Sequence, residues 1–444
     1  MQVLCRALAR LAAVRRVVAF ALCLTGALAL RVPAYELPLD RDAAVYQVIG
    51  RALRGGEMPY VDLIDHKQPL VYPVYSVIDL VAPGSAAAPR VVSGLIAAVA
   101  AVLVFVLLRG GARGATAAAL VIVIGASRYV QGFDLNTEHL LLVTGTLPIV
   151  VALWRPRAAF VVGLLCGVAV LTKAVAILLI PAALVPLARS GRPPFAAGLA
   201  VPLVAVALLY IGHLGDLWEW NVAYNADYAS VLSLGDRLER LRGQGASLLL
   251  IAVSAVAALI CLRRREPLAL TLTVWLAGAV LGALAGGYAY AHYFVPIIVP
   301  AAALIALALP DRPAVPIAVA ALGVLALLVT NRSLASKTYG GNVAVWDAAE
   351  PVGQLIRDRA RPGDTMFVAG NEAGFYWQAR VEPASRLLYD SILEFRPELT
   401  PDLCAQPPRF LVLPAGTYPS YATCLQDAGY TPLEAPSPVV ALMR

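Results

Sequence analysis

Charge is what this sequence has least of. Only 14% of its 444 residues are Asp, Glu, Lys or Arg, and it holds four His. No group of His, Cys, Asp and Glu has metal-ligand spacing, and no stretch of the chain repeats another. Of six Cys, only Cys404 and Cys424 fall outside the apolar part or its basic N-terminal flank. Soluble domains run at about 45–50% apolar residues. This chain has 60% and a mean hydropathy of +0.75, which excludes an ordinary soluble domain. The net charge of +7 is no sign of nucleic acid, because most Arg in the apolar part stand at the ends of apolar runs, where they set orientation. What is there instead is a series of apolar runs between short Arg-rich breaks. That pattern predicts an α-helical polytopic membrane protein.

Arg6, Arg10, Arg15 and Arg16 place the N-terminus in the cytoplasm. A basic start followed by an apolar run also suits a signal peptide. With so many later spans it reads as a retained first helix, Val17–Leu30. Ten further spans follow: Val91–Leu108, Ala115–Val130, His139–Trp154, Ala158–Leu171, Ala174–Leu187, Phe195–Gly212, Ser247–Leu262, Leu268–Gly286, Phe294–Leu309 and Val315–Thr330. Leu70–Val81 is too short to cross. At 1.5 Å per residue it reaches about 18 Å, against a hydrocarbon core of about 30 Å. Read as a non-crossing helix, it leaves Arg109/Arg113, Arg155/Arg157, Arg189/Arg192, Arg263–Arg265 and Arg312 all cytoplasmic. The expectation is eleven spans in a domain over 1–330, with a first external loop at 31–90.

From Asn331 the composition becomes that of a small extracytoplasmic α/β domain, 331–444. Trp346–Arg359 reads as a helix, Pro362-Gly363-Asp364 as a turn, and Thr365–Val368 and Phe410–Leu413 as short buried strands. Tyr421–Ala428 suits another helix and Val439–Met443 a last strand. Cys404 and Cys424 either pair, in an oxidising compartment, or stay as two buried thiols.

Ionisable residues gather in the segments placed outside. Asp42 begins a surface helix over Asp42–Leu53. There the helix dipole favours a carboxylate, which suits either an N-cap or a general base. Asp65-His66-Lys67-Gln68-Pro69 stands where the chain re-enters the membrane; its Lys suits either a phosphate or a snorkelling anchor. Gln131–His139 brings Asp134, Asn136 and Glu138 to the start of a span, as a site or as caps. Lys173 separates two apolar runs, and an ionisable residue in a membrane segment is a functional candidate. Tyr288–Phe294, with His292 and Tyr293, suits an interfacial aromatic belt as well as a site.

Three motifs carry a resemblance. Arg41-Asp42-x-x-Val45-Tyr46, Gly55-Gly56-x-x-Pro59-Tyr60-x-Asp62 and Asp65-His66-Lys67-x-Pro69 resemble the first external loop of bacterial family-39-like glycosyltransferases. These are GT-C enzymes grouped with the protein O-mannosyltransferases and the lipid A aminoarabinose transferases. Asn136-Thr137-Glu138 resembles their second external loop, and His292-Tyr293-Phe294-Val295-Pro296 a late aromatic and proline stretch.

The resemblance implies a GT-C fold in the plasma (inner) membrane and sugar transfer on the external face. It implies a polyprenyl-phosphate-sugar donor and a glycan, lipid or protein acceptor. Asp42 matches the residue that activates the acceptor, and Glu138 the second acidic site residue. Lys67 and Lys173 would hold the lipid phosphate. Arg41, Tyr46, Tyr60, Asp65, His66, Asn136, His292 and Tyr293 complete the expected substrate contacts. Where the family often carries Asp-Glu, this chain has Asp42-Ala43, which leaves a divalent metal possible but without support; no cofactor is expected.

Two other classes fit parts of the pattern. A transporter or flippase of lipid-linked sugars would use similar cations, but at the bilayer midplane and often in a repeated half. A catalytically inactive membrane scaffold would have no need of Asp42 and Lys67.

Overall fold

The computed structural model describes residues 17–331, 343–414, 416 and 418–444. The basic N-terminal arginines lie outside the described residues. The chain divides into two compact units.

The first unit holds Met1–Tyr35, Arg90–Leu208 and Leu232–Arg332. It is helical, and its long core is built largely from Ala, Leu, Val and Ile. Among the described residues of the chain, six helices are long and apolar enough to cross a membrane: Val17–Ala34, Ala87–Leu107, Thr137–Trp154, Arg189–Leu209, Gly245–Arg263 and Ala291–Ala308. Shorter apolar helices cover Gly111–Ile124, Ala159–Thr172, Ala174–Leu184, Ala269–Leu284 and Ala314–Thr330. Every expected span therefore forms an apolar helix, but five of the eleven have fewer than 18 residues. The helices differ in how they pack. Over Ala291–Ala308 most residues are buried, whereas along Arg189–Leu209 few are. Val201, Val204, Leu208 and Leu209 stay exposed there, an apolar face that suits lipid. Small residues allow close helix contact. A Cβ at Gly163 would run into the Phe195 carbonyl oxygen, and one at Gly198 into the Phe160 oxygen. Ala159–Thr172 and Arg192–Leu209 thus meet backbone to backbone at paired glycines.

The second unit holds Glu36–Pro89, Leu209–Val231 and Ser333–Arg444. This differs from the boundary expected at residue 330. The first loop belongs with the C-terminal segment because backbone bonds join them. Ile64 N–H donates to the Arg386 carbonyl at 2.9 Å, and Ile64 pairs with Leu387 as a parallel bridge. Arg51 also donates to the Trp377 carbonyl at 2.9 Å. None of this is written in local sequence pattern.

Within the unit, helix Arg41–Arg54 packs on Val71–Val81 through Gly50, where a Cβ would lie 2.6 Å from Ser76 N. The sheet contains β1 (Thr365–Val368), β2 (Glu382–Pro383), β3 (Phe410–Leu413), β4 (Thr431–Leu433) and β5 (Val440–Met443), in the order β2-β1-β3-β5-β4. The first three run parallel; β5 is antiparallel to β3 and β4. β1 and β3 match the expected strands to the residue. The expected helix Trp346–Arg359 is instead two, Val343–Asp347 and Ala349–Arg357. The helix expected at Tyr421–Ala428 is 3₁₀, Ser420–Asp427. Cys404 and Cys424 are disulfide-bonded, with Cα atoms 6.0 Å apart.

Candidate active site

Each unit brings a carboxylate and a lysine together. In the second unit the carboxylate is Asp42, in the first turn of Arg41–Arg54. The cap is a different residue: the Asp40 side chain accepts from Ala43 N–H at 2.8 Å. Asp42 is thereby spared the capping role that its position alone allowed. Its Oδ2 lies 3.3 Å from Lys67 Nζ, and its side chain is 35% exposed.

The loop that carries Lys67 is held from several sides. Tyr60 donates its hydroxyl to the Lys67 carbonyl at 2.6 Å, and Tyr72 donates to the same oxygen at 3.3 Å. Asp65 is buried and accepts from Tyr72 (3.1 Å), Tyr389 (2.7 Å) and the His66 N–H (2.7 Å). Burial raises the Asp65 carboxyl above its ordinary range, opposed by the Lys67 charge and the Tyr389 and His66 donors. His66 Nδ1 lies 3.0 Å from the Tyr389 hydroxyl, and its ring lies against Tyr224 and Tyr228 at centroid distances of 5.1 and 5.7 Å. Asn225 donates to the His66 carbonyl at 2.9 Å.

Two of the expected contact residues, Tyr46 and Tyr60, are buried. Tyr46 packs edge-on against Tyr72 and Tyr75, and Tyr60 ties down the lysine's own peptide. Both shape the loop. Arg41 pairs with Glu372 at 2.7 Å and lies over Trp346.

In the first unit, Glu138 lies in the first turn of Thr137–Thr144. Lys173 Nζ lies 2.5 Å from its Oε1, the Thr137 hydroxyl donates to Oε2 at 2.9 Å, and His292 Nε2 is 3.9 Å away. Glu138 is not the cap either: Asn136 precedes the helix, and its N–H donates to His139 Nδ1 at 3.2 Å. Lys173 breaks the chain between Ala159–Thr172 and the 3₁₀ turn Ala174–Leu179, in extended conformation. Its ammonium lies 4.6 Å from the centre of the Tyr293 ring. His292 Nδ1 lies 2.8 Å from Gln131 Oε1, and its ring stacks on Tyr290. Glu138, Lys173 and Tyr293 line one small cavity. The aromatic stretch at 288–294 therefore contributes two residues to this cluster.

Sequence reasoning missed Tyr389, Tyr224, Tyr228 and Asn225, all of which converge on Asp65 and His66. It also passed over a signal that was present. Cations in this chain are almost all Arg; the lysines are Lys67, Lys173 and Lys337. Two of them form the pairs just described. Among the described residues no group of three or more His, Cys, Asp or Glu is placed to hold a metal ion.

No protein-family model matches the sequence, and no curated protein matches it. Solved structures do. ArnT from Cupriavidus metallidurans bound to undecaprenyl phosphate aligns over 97% of this chain and 97% of its own, with a TM-score of 0.64 at 16% identity. The chain has the ArnT fold. The same ArnT in the apo state aligns with a TM-score of 0.63 at 15% identity, covering 97% of this chain and 98% of its own. The Archaeoglobus fulgidus oligosaccharyltransferase in its apo form gives 0.51 at 13% identity, covering 89% of this chain and 69% of that one. The ArnT fold thus spans both units of this chain, a polytopic helical part and a small sheet.

Proposed function

We propose that this protein is an integral-membrane glycosyltransferase that moves a sugar from a polyprenyl-phosphate donor to an acceptor on the external face. One observation carries the reading: Asp40 takes the helix cap, which leaves Asp42 half-exposed beside Lys67. The shared fold supports it, since ArnT with that fold binds undecaprenyl phosphate.

In this mechanism Asp42 accepts the proton of an acceptor hydroxyl. The acceptor oxygen bonds to the anomeric carbon as the bond from that carbon to the phosphate oxygen breaks, through an oxocarbenium-like state. The polyprenyl phosphate leaves with its charge balanced by Lys67. Lys173, held by Glu138, is the corresponding cation of the first unit. His292 and Tyr293 set the position of that pair, and Asn136 caps the helix that carries Glu138. The N-terminus is cytoplasmic and residues 331–444 lie outside.

The test is transfer of labelled sugar from polyprenyl-phosphate donors in membranes, wild type against Asp42→Asn. Loss of transfer with donor binding retained supports the base. Unchanged transfer moves the base elsewhere. If wild type transfers nothing from a broad donor panel but moves lipid-linked sugar across vesicles, the protein is a flippase.

A further inference from the structure

A second pocket in the same unit as Asp42 has no part in the mechanism above. It measures about 100 Å³ and is formed by the first-loop residues leading into Asp42, by the helices after residue 343 and by the segment that follows β1. Open α/β sheets take ligands at the carboxyl ends of their strands, and this segment leaves the carboxyl end of β1. We propose that the pocket is a binding subsite for one neutral sugar ring of the acceptor. The proposal rests on the glycosyltransferase reading.

The lining has the parts that a polyhydroxylated ring needs. Trp346, half-buried, lines the pocket with Arg41 over its ring, and its N–H donates to Glu372 Oε2 at 2.5 Å, which fixes the ring. Glu372 is buried and also accepts twice from Arg41, at 3.1 and 2.7 Å; a carboxylate has about four acceptor positions, so one remains after three such bonds. Trp377 is 2% exposed and lines the same pocket, yet its indole N–H has no acceptor among the described residues. A buried donor left unbonded is costly, and such a group calls for a partner. Glu36, Asp347 and Glu350 add carboxylates at the rim.

Charge narrows the ligand class. Among the described residues Arg41 is the only cation in the lining, and Glu372 already holds it. The pocket thus offers nothing to a lipid phosphate and repels an anionic sugar, which assigns it to the acceptor side. Size narrows it further. Typical small-molecule pockets run from about 300 to 1,000 Å³, so this one takes a single ring. Arg41 immediately precedes Asp42, so a ring bound here lies on the element that carries the base.

The experiment is a fluorine NMR titration of the full-length protein in detergent with fluorinated methyl glycosides of mannose, galactose and glucuronic acid. At least one neutral glycoside is expected to bind in the millimolar range. Trp346→Ala should weaken it at least ~10-fold and Glu350→Ala about threefold, a partial loss in line with truncation at a binding site. The glucuronide should bind at least ~10-fold more weakly, as like charge in the pocket demands. In the transfer assay Trp346→Ala should raise the acceptor KM and leave the donor KM unchanged. The proposal is overturned if no neutral glycoside binds, if the glucuronide binds as tightly, or if the donor KM moves instead. It is also overturned if Glu350→Ala, an exposed change that keeps the fold, and Trp346→Phe both leave binding untouched. The Asp42→Asn variant separates this proposal from the reading it rests on. If that variant still binds the glycoside and transfers sugar as wild type does, the base is lost from the mechanism and the pocket stands.

Discussion

The two carboxylate–lysine pairs use the same residue types in different surroundings. Asp42 is 35% exposed and stands 3.3 Å from Lys67. Glu138 is 2% exposed, stands 2.5 Å from Lys173 and accepts from Thr137 as well. In the proposed mechanism the exposed carboxylate is the one an acceptor hydroxyl would reach, and the enclosed one would hold a cation in place. Exposure, more than residue type, separates a group fitted to move a proton from one fitted to position a charge.

The sharpest way to break this distinction is kinetic. Asp42→Asn should lower transfer by about 10²–10⁴, the usual contribution of a general base. Glu138→Gln should cost about 10–100-fold, the worth of a charge-assisted hydrogen bond, and should act on the donor KM. A larger loss at Glu138 would exchange the two roles.

Stability should rank the pairs the other way. Lys173→Met strands a buried carboxylate and should destabilise by about 3–5 kcal/mol. Lys67→Met leaves a half-exposed Asp42 and should cost less than about 1 kcal/mol. Chemical unfolding in detergent measures both; equal losses would erase the contrast.

The disulfide belongs to the Asp42 unit. Replacing Cys404 and Cys424 with Ala opens a loop of 20 residues' separation and should cost about 3 kcal/mol. Hydrogen exchange should then speed up in β3 and β5 but not in helix Ala291–Ala308. Faster exchange in that helix would mean that the two units do not unfold separately.

The smallest effect is on pH dependence. Burial raises Asp65, so its ionised form is disfavoured in the folded protein. Its contribution is therefore fully present below the ordinary Asp value of about 3.9 and is lost as pH rises through the raised folded value. The stability of wild type relative to Asp65→Asn should decline as pH rises above about 4. A flat difference would show that the tyrosine hydroxyls and Lys67 fully offset the burial.

Much of the fold was legible from composition. Apolar runs became apolar helices at each expected place, and β1 and β3 fell where short buried apolar stretches stood between turn residues. These signals are local. The break at Ala348 and the 3₁₀ turn at Ser420–Asp427 were not legible, because a short apolar stripe does not specify the hydrogen-bond period. The candidate residues on the first loop were legible as a cluster of charge in an apolar chain. Tyr389, Tyr224 and Asn225 were not, since nothing near them in sequence relates them to His66.

By itself, then, the sequence determined where the chain is apolar, which short segments hold ionisable chemistry, and that a helix begins beside Asp42. Those properties follow from residue type and spacing alone. Which of Asp40 and Asp42 caps the helix is a local choice that residue type left open, and only the tertiary structure decided that Lys67 meets Asp42 and that Lys173 meets Glu138. It also joined the first loop to the C-terminal segment. Ion pairs and hydrogen bonds between distant segments are set by how the backbone brings them together, and a linear pattern carries no record of that distance.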